Sequence, residues 1–131
     1  MALVLDSSIP LAVALENAKV VASFEKAICS NTCYITDQSV AEFACLAMEK
    51  CGAGLTEKWI GWLYTLDNVK MVSGVDEEFA KQSAEAYVLG GISIASASAV
   101  ALAHKMAIPI LTCRPGFSLV ATYCDVMLIG V

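Results

Sequence analysis

Five short apolar runs punctuate this chain, and segments of helical periodicity fill the spaces between them. The runs are Ala2 to Leu5, Cys33 to Thr36, Val69 to Val72, Ile108 to Leu111 and Val126 to Ile129. They are near-continuous rather than alternating, which is the mark of strands buried on both faces. Strands that alternate with helices predict a parallel sheet covered on both sides. The expected fold is therefore α/β: a three-layer α/β/α sandwich around a central, mostly parallel five-stranded sheet. A length of 131 residues suits one domain over residues 1–131, not two.

The intervening segments carry helix signals. Ser8 reads as a cap with Pro10 just inside, opening a helical region that runs to about Cys29. Asp37 reads as the cap of a helix whose stripe is Val40, Phe43, Ala44, Ala47 and Met48, with Gly52 and Gly54 ending it. Thr56 opens the next helix, with Leu55, Trp59, Trp62, Leu63 and Leu66 on one side. Asp76 caps another, and Glu77 and Glu78 fall in its first turn, where the helix dipole favours acids. Ala80, Ala84, Tyr87 and Val88 read as the core-facing stripe of that helix. Ser93 to Lys105 is lined with Ala, whose small side chains let a helix lie close to the sheet.

Hydrophobic residues make up 58% of the chain and charged residues 16%, more apolar than a soluble domain needs for its own core. The surplus predicts apolar surface buried against a second copy, a homodimer. The net charge of −5, with eight scattered Lys and Arg, excludes strong general nucleic-acid binding but not a narrow cleft gripping one strand. Gly90 to Ala103 is too short and too rich in Ala and Ser for a membrane span. The opening MALVLDSSIP lacks a basic flank and meets Asp6 early, so it reads as a strand, not a signal peptide. A cytoplasmic location with reduced, mostly buried thiols is the expectation for the six Cys; disulfides remain open for a hyperthermophilic source. The C-x3-C and C-x5-C spacings with a single His, His104, fit zinc poorly. That lone His near a helix end reads as structural, and no glycine-rich phosphate loop is present.

In parallel sheets the working site lies at the C-terminal edge of the strands. Residues expected there are Asp6 and Ser7 after the first strand and Glu42 one turn into the helix after the second. Ser96 at the start of the Ala-rich helix and Thr112, Cys113 and Arg114 after the fourth strand complete the group. The pieces V-L-D-S-S (Val4 to Ser8), V-A-E-F (Val40 to Phe43), I-S-I-A-S-A-S-A-V-A-L-A (Ile92 to Ala103) and I-P-I-L-T-C-R (Ile108 to Arg114) occur in this order over nearly the whole chain. Together they resemble the PIN domains, metal-dependent ribonucleases that include the toxins of many toxin–antitoxin pairs. The resemblance implies a catalytic acid at Asp6 and another at Glu42. It implies a third acid where this chain has Ser96 and a fourth where it has Arg114.

Those two departures bear on the metal. Mg²⁺ is a hard cation held by carboxylates, and in phosphodiester hydrolysis such ions activate water and stabilise the leaving oxygen. Ser removes one negative charge from the set, and Arg reverses the sign of another. A guanidinium in that place would repel the ion and form a bidentate pair with Asp6 or Glu42. Arg114 is thus expected to take over the metal's electrostatic role, with Ser7, Ser96 and Thr112 as neighbouring binding groups. Asp37 and Asp125 are poor substitutes for the missing acids, since Asp125 precedes the last strand at the opposite edge.

Plainer readings stand beside this one. Asp6 could cap the first helix, Glu42 could be a solvated surface Glu, Ser96 could be helix filler, and Arg114 before Pro115-Gly116 could be a turn residue. Trp59 and Trp62 suit a core or an interface better than a ligand surface. The functional expectation is a weak or inactive PIN-like protein that needs no cofactor and acts by binding RNA or a protein partner. The alternative is an active Mg²⁺- or Mn²⁺-dependent ribonuclease of the toxin–antitoxin type, with Asp6 and Glu42 as metal ligands. A third option is a subunit that supplies only an interface within a larger assembly.

Overall fold

The computed structural model describes residues 1–130. Five strands form one sheet in the order β3-β2-β1-β4-β5, and every neighbouring pair is parallel. The strands are β1 (Ala2–Leu5), β2 (Thr32–Thr36), β3 (Val69–Val72), β4 (Ile110–Thr112) and β5 (Val126–Leu128). The helices are α1 (Ser8–Ala14), α2 (Ala18–Ser30), α3 (Asp37–Thr65), α4 (Glu77–Gly90) and α5 (Ile94–Met106), and a 3-10 helix spans Pro115–Val120.

Two separate cores give the three layers. Leu3, Leu5, Cys33, Ile35 and Leu111 point to one side of the sheet, where Ile9, Phe24, Phe43 and Leu63 from α1, α2 and α3 cover them. Val4 and Ile110 point to the other side, against Phe79 and Ala86 of α4, the Ala-rich α5, and Phe117 and Val120 of the 3-10 helix. Residues on a strand alternate between faces, so an apolar run without polar interruption is what two covered faces require. In α5, Ala97, Ala99, Ala101 and Ala103 are all buried, as expected of a helix seated close to the sheet. Among the described residues no single helix is long and apolar enough to cross a membrane.

The sequence reading of the helices needs five corrections. The first helical region is two helices, broken where Glu16 adopts a left-handed conformation (φ 59°) and Asn17 caps α2 by accepting from the Val20 N–H. The N-cap of α1 is Ser7, not Ser8, and its hydroxyl makes no capping bond. Both hydroxyls are drawn away, Ser7 to Glu42 and Ser8 to Thr112. Thr36, not Asp37, caps α3, accepting from the Ser39 N–H at 3.1 Å. Gly52 (φ 81°) kinks the segment 37–65 where a helix end was expected, and the next helix follows without a gap.

The fifth correction is the largest. The face of α4 that packs inward carries Phe79, Ala86 and Gly90. Ala80, Ala84, Tyr87 and Val88, the expected core stripe, face solvent. Gly90 fixes this rotation, because a Cβ there would meet Val120 Cγ1 at 2.7 Å. Only a glycine lets α4 lie so close to the 3-10 helix. Apolar residues occupy both sides of α4, and periodicity alone does not say which side faces the core. In α3, likewise, Met48 and Leu55 are exposed, while Val40, Phe43, Ala47 and Leu63 carry the packing.

Candidate functional site

The C-terminal ends of β1, β2 and β4 and the first turns of α3 and α5 converge on one polar pocket. Asp6 leaves β1 directly and is fully buried. Its backbone N–H still donates to Leu111 O of β4 at 3.0 Å, so the carboxylate is held at the sheet edge by the ladder itself. Oδ2 accepts from the Ser8 N–H at 3.2 Å and from Thr112 Oγ1 at 3.1 Å. Oδ1 accepts from Ser96 Oγ at 2.7 Å, which brings the N-terminus of α5 to β1. A buried carboxylate costs several kcal/mol unless it is paired and hydrogen-bonded, and here every nearby element supplies a donor.

Arg114 follows β4 and carries its guanidinium into the centre of this group. Nη1 lies 3.1–3.2 Å from both oxygens of Asp6, 3.1 Å from Glu42 Oε1, 3.1 Å from Ser7 Oγ and 2.6 Å from Ser96 Oγ. One cationic nitrogen thus sits among oxygens contributed by β1, α3 and α5. The two-pronged pair expected from the sequence is not what forms: a single nitrogen bridges the two acids. Thr112 Oγ1 accepts from the Arg114 N–H at 3.0 Å, and Ser8 Oγ accepts from the Cys113 N–H at 3.0 Å. These bonds fix the backbone from which the Arg114 side chain departs.

Glu42 reaches the same centre from the first turns of α3, and Ser7 donates its hydroxyl proton to Glu42 Oε1. Burial alone would raise the Glu42 pKa, but the Ser7 and Ser93 hydroxyls and the Arg114 charge outweigh it and hold the carboxyl below its ordinary value of 4.5. Cys113 is pushed the other way, chiefly by burial and further by the Asp6 charge, so it is a poor thiolate. Beside the pocket a second hydroxyl cluster pins α5. Thr36 Oγ1 and Ser98 Oγ are 2.9 Å apart, and Ser39 and Ser98 both donate to Ala95 O.

Of the seven residues expected at the strand ends, Asp6, Ser7, Glu42, Ser96, Thr112 and Arg114 meet in the pocket, and Cys113 lies beside it with its N–H on Ser8 Oγ. Two contributors were not singled out from the sequence. Ser8 was read only as a cap and instead links Thr112 to Cys113, while Ser93 caps α5 and supports Glu42. The S-S doublet after Asp6 and the S-x-x-S at Ser93 to Ser96 were the available signals. Asp37 is exposed and bonds only its neighbour Gln38, and the carbonyl of Asp125 accepts from Ile110 N at the start of β4, the far edge.

The donor set fits a divalent ion poorly. Among the described residues no three His, Cys, Asp or Glu side chains gather as ligands. A magnesium ion demands oxygens at about 2.0–2.1 Å, and the point between Asp6 and Glu42 is filled by a cationic nitrogen with oxygens at 2.6–3.2 Å.

A parallel five-stranded sheet with a polar pocket at its C-terminal edge fits a PIN-like fold, and comparison with known proteins agrees. Over 94% of this chain and 97% of the other, it superposes on VapC20 of Mycobacterium tuberculosis, a toxin that cleaves the sarcin–ricin loop, with a TM-score of 0.75 at 15% identity. It matches VapBC2 of Rickettsia felis, solved on a promoter DNA fragment, with a TM-score of 0.74 at 12% identity, covering 98% and 99% of the two chains. FitAcB of Neisseria gonorrhoeae gives 0.62 at 19% identity, covering 95% and 96%. The chain has a PIN-like fold. No family model and no curated protein matches it.

Proposed function

We propose that this is a PIN-like protein whose metal pocket is closed by its own arginine, and that it acts by binding, as a homodimer in the cytoplasm, rather than by cutting RNA. One observation carries the reading: Arg114 Nη1 lies 3.1 Å from a carboxylate oxygen of both Asp6 and Glu42. Two carboxylates and one guanidinium leave a net charge of about −1, against −4 for a pocket with all four acids of the PIN pattern. That remainder attracts a divalent ion weakly, and the ion must also displace a tethered cation that never diffuses away. A protein partner is favoured over RNA by the chain's net charge of −5. Structural neighbours whose names describe two-component assemblies, VapBC2 and FitAcB, support the same choice.

The competing reading is an active Mg²⁺- or Mn²⁺-dependent ribonuclease. Its support is the sarcin–ricin-cleaving activity named for one neighbour and the survival here of Asp6 and Glu42. A manganese titration separates the two. The closed-pocket reading expects no rise in Tm and no cleavage of single-stranded RNA in excess metal. Metal-dependent cleavage that disappears in Asp6→Asn would overturn it.

A further inference from the structure

Among the described residues the sheet has two open edges, and only one of them is guarded by charge. β3 carries Lys70 exposed to solvent, and a lysine on an edge strand discourages the addition of another. β5 carries Val126, Met127 and Leu128 and no charge, with Met127 44% exposed and Leu128 41%. The Asp125 carbonyl and the Ile129 N–H are both spent on β4. Backbone groups alternate sides along a strand, so the N–H and C=O of Val126 and Leu128 point away from the sheet. Among the described residues no strand takes them up. We propose that the outer edge of β5 is the docking site for an extended peptide segment of a partner protein, apolar on one face and basic on the other, which adds to the sheet as a further strand. The proposal rests on the binding reading above and names its surface and the partner's chemistry.

The case for a strand is that both faces beside β5 are hollow. Side chains of an added strand alternate between the faces and stand one strand spacing, about 4.8 Å, beyond β5. On the α2 side Met127 and Ile129 line a groove of about 380 Å³ with Leu3, Leu111 and Ala27, and Lys26 is its one charged lining residue. On the other side Val126 and Leu128 line a groove of about 300 Å³ with Ser118, Asp125 and Arg114. A partner that docks only an apolar patch leaves the outward N–H and C=O groups unpaired. An extended backbone pairs with them and drops alternate side chains into the two grooves.

Charge sets the rest of the chemistry. In the second groove Arg114 is already matched by two carboxylates, Asp6 and Glu42, each 3.1 Å away. Asp125 is exposed and forms no ion pair among the described residues. That side is therefore net acidic and suits Lys or Arg side chains, as does the chain's net charge of −5. The groove on the α2 side suits Val, Ile or Leu, because its lining is mostly apolar and Lys26 repels a cation there.

Fluorescence anisotropy of a dye-labelled, end-capped peptide alternating Val and Lys tests this. Saturable binding to wild type is expected. Its fully N-methylated analogue, which offers no N–H, and a Val–Glu counterpart should each bind at least about tenfold more weakly. Leu128→Pro removes an outward N–H that the ladder to β4 does not use, and it should lose the peptide with unchanged circular dichroism. Should Leu128→Pro misfold, the N-methylated peptide against wild type supplies the same reading. Val88→Arg, on the outer face of α4, should bind as wild type does. No saturable binding, equal binding of the N-methylated peptide, or loss of binding in Val88→Arg would overturn the edge. So would light scattering that gives twice the 13.8 kDa chain mass for wild type and a single chain mass for Leu128→Pro, which assigns the edge to a second copy. A chain that ignores manganese and leaves RNA whole yet binds no peptide loses the edge and keeps the closed pocket. Metal-dependent cutting with peptide binding intact loses the closed pocket and keeps the edge.

Discussion

The pocket at the strand ends and the outer face of α4 lie near one another, yet they leave the fold in opposite states. In the pocket, Asp6, a fully buried charge, is met inside the chain by a backbone N–H, by the hydroxyls of Thr112 and Ser96 and by Arg114. On α4, apolar side chains that could serve a core are left to solvent. The first region is complete without help, and the second asks for a partner. On the closed-pocket reading proposed above, that contrast places the work of the molecule at the surface rather than in the pocket. Substitutions should therefore act very differently in the two places.

The largest contrast comes from rebuilding the pocket. Ser96→Asp with Arg114→Asp restores carboxylates at both positions where the PIN pattern has them and removes the tethered cation. Manganese should then raise the Tm of the double variant, by an amount equivalent to about 2.7 kcal/mol when the metal stands at roughly 100 times its dissociation constant. Wild type and Val88→Arg should not respond. A double variant as indifferent to manganese as wild type would mean that the charge of Arg114 is not what keeps the ion out.

Removing the cation alone comes next. Arg114→Ala leaves Asp6 and Glu42 facing each other without compensation. Breaking a fully buried pair costs about 3–5 kcal/mol. Arg114 keeps 31% of its side chain in solvent, so about 1–3 kcal/mol is the expectation here. That corresponds to a fall in Tm of roughly 3–12 °C. Arg114→Lys sharpens the point. Because one nitrogen makes all the contacts to the two acids, a point charge should recover more of the stability than a two-pronged pair would allow. Val88→Arg on the other region should stay within about 0.5 kcal/mol of wild type. Thermal melts of the three variants decide it, and equal losses from Arg114→Ala and Val88→Arg would erase the distinction between the regions.

Much of this was legible in the sequence, for reasons that differ by element. β1 was readable because burial on both faces leaves nothing but apolar side chains from Ala2 to Leu5, whereas the edge strands are only partly covered, with Lys70 of β3 and Met127 and Leu128 of β5 exposed. Asp6 and Arg114 are 108 positions apart, and the rule that parallel strands present their C-terminal ends together was enough to bring them into one pocket. The caps were harder. Ser7, Ser8 and Thr36 are all residues that can cap, and the choice among them is made by tertiary partners such as Glu42 and Thr112. The rotation of α4 was not legible at all, since it depends on Gly90 meeting Val120 across the fold. The stripe Ala80, Ala84, Tyr87 and Val88 was a true apolar pattern assigned to the wrong side.

The smallest effect lies in acid, and it tests whether the pocket is held by charge. The Glu42 carboxyl is depressed below its ordinary value of 4.5 in the folded chain. Between the folded and unfolded values the unfolded state binds more protons, so stability rises with pH there. The contribution of Glu42 is fully present above about pH 5.5 and is lost as pH falls through the ordinary value and then the folded one. Urea midpoints taken from about pH 6 down to about pH 4 should decline in wild type and decline less steeply in Glu42→Gln. Arg114→Ala should flatten the slope only in part, because the Ser7 and Ser93 hydroxyls still favour the ionised carboxyl. Val88→Arg should follow the wild-type slope, since no titrating group of the pocket touches that face. If Glu42→Gln loses stability in acid as steeply as wild type, the carboxyl is not tied to its neighbours as the geometry implies, and the pocket would then be as open to solvent as the helix beside it.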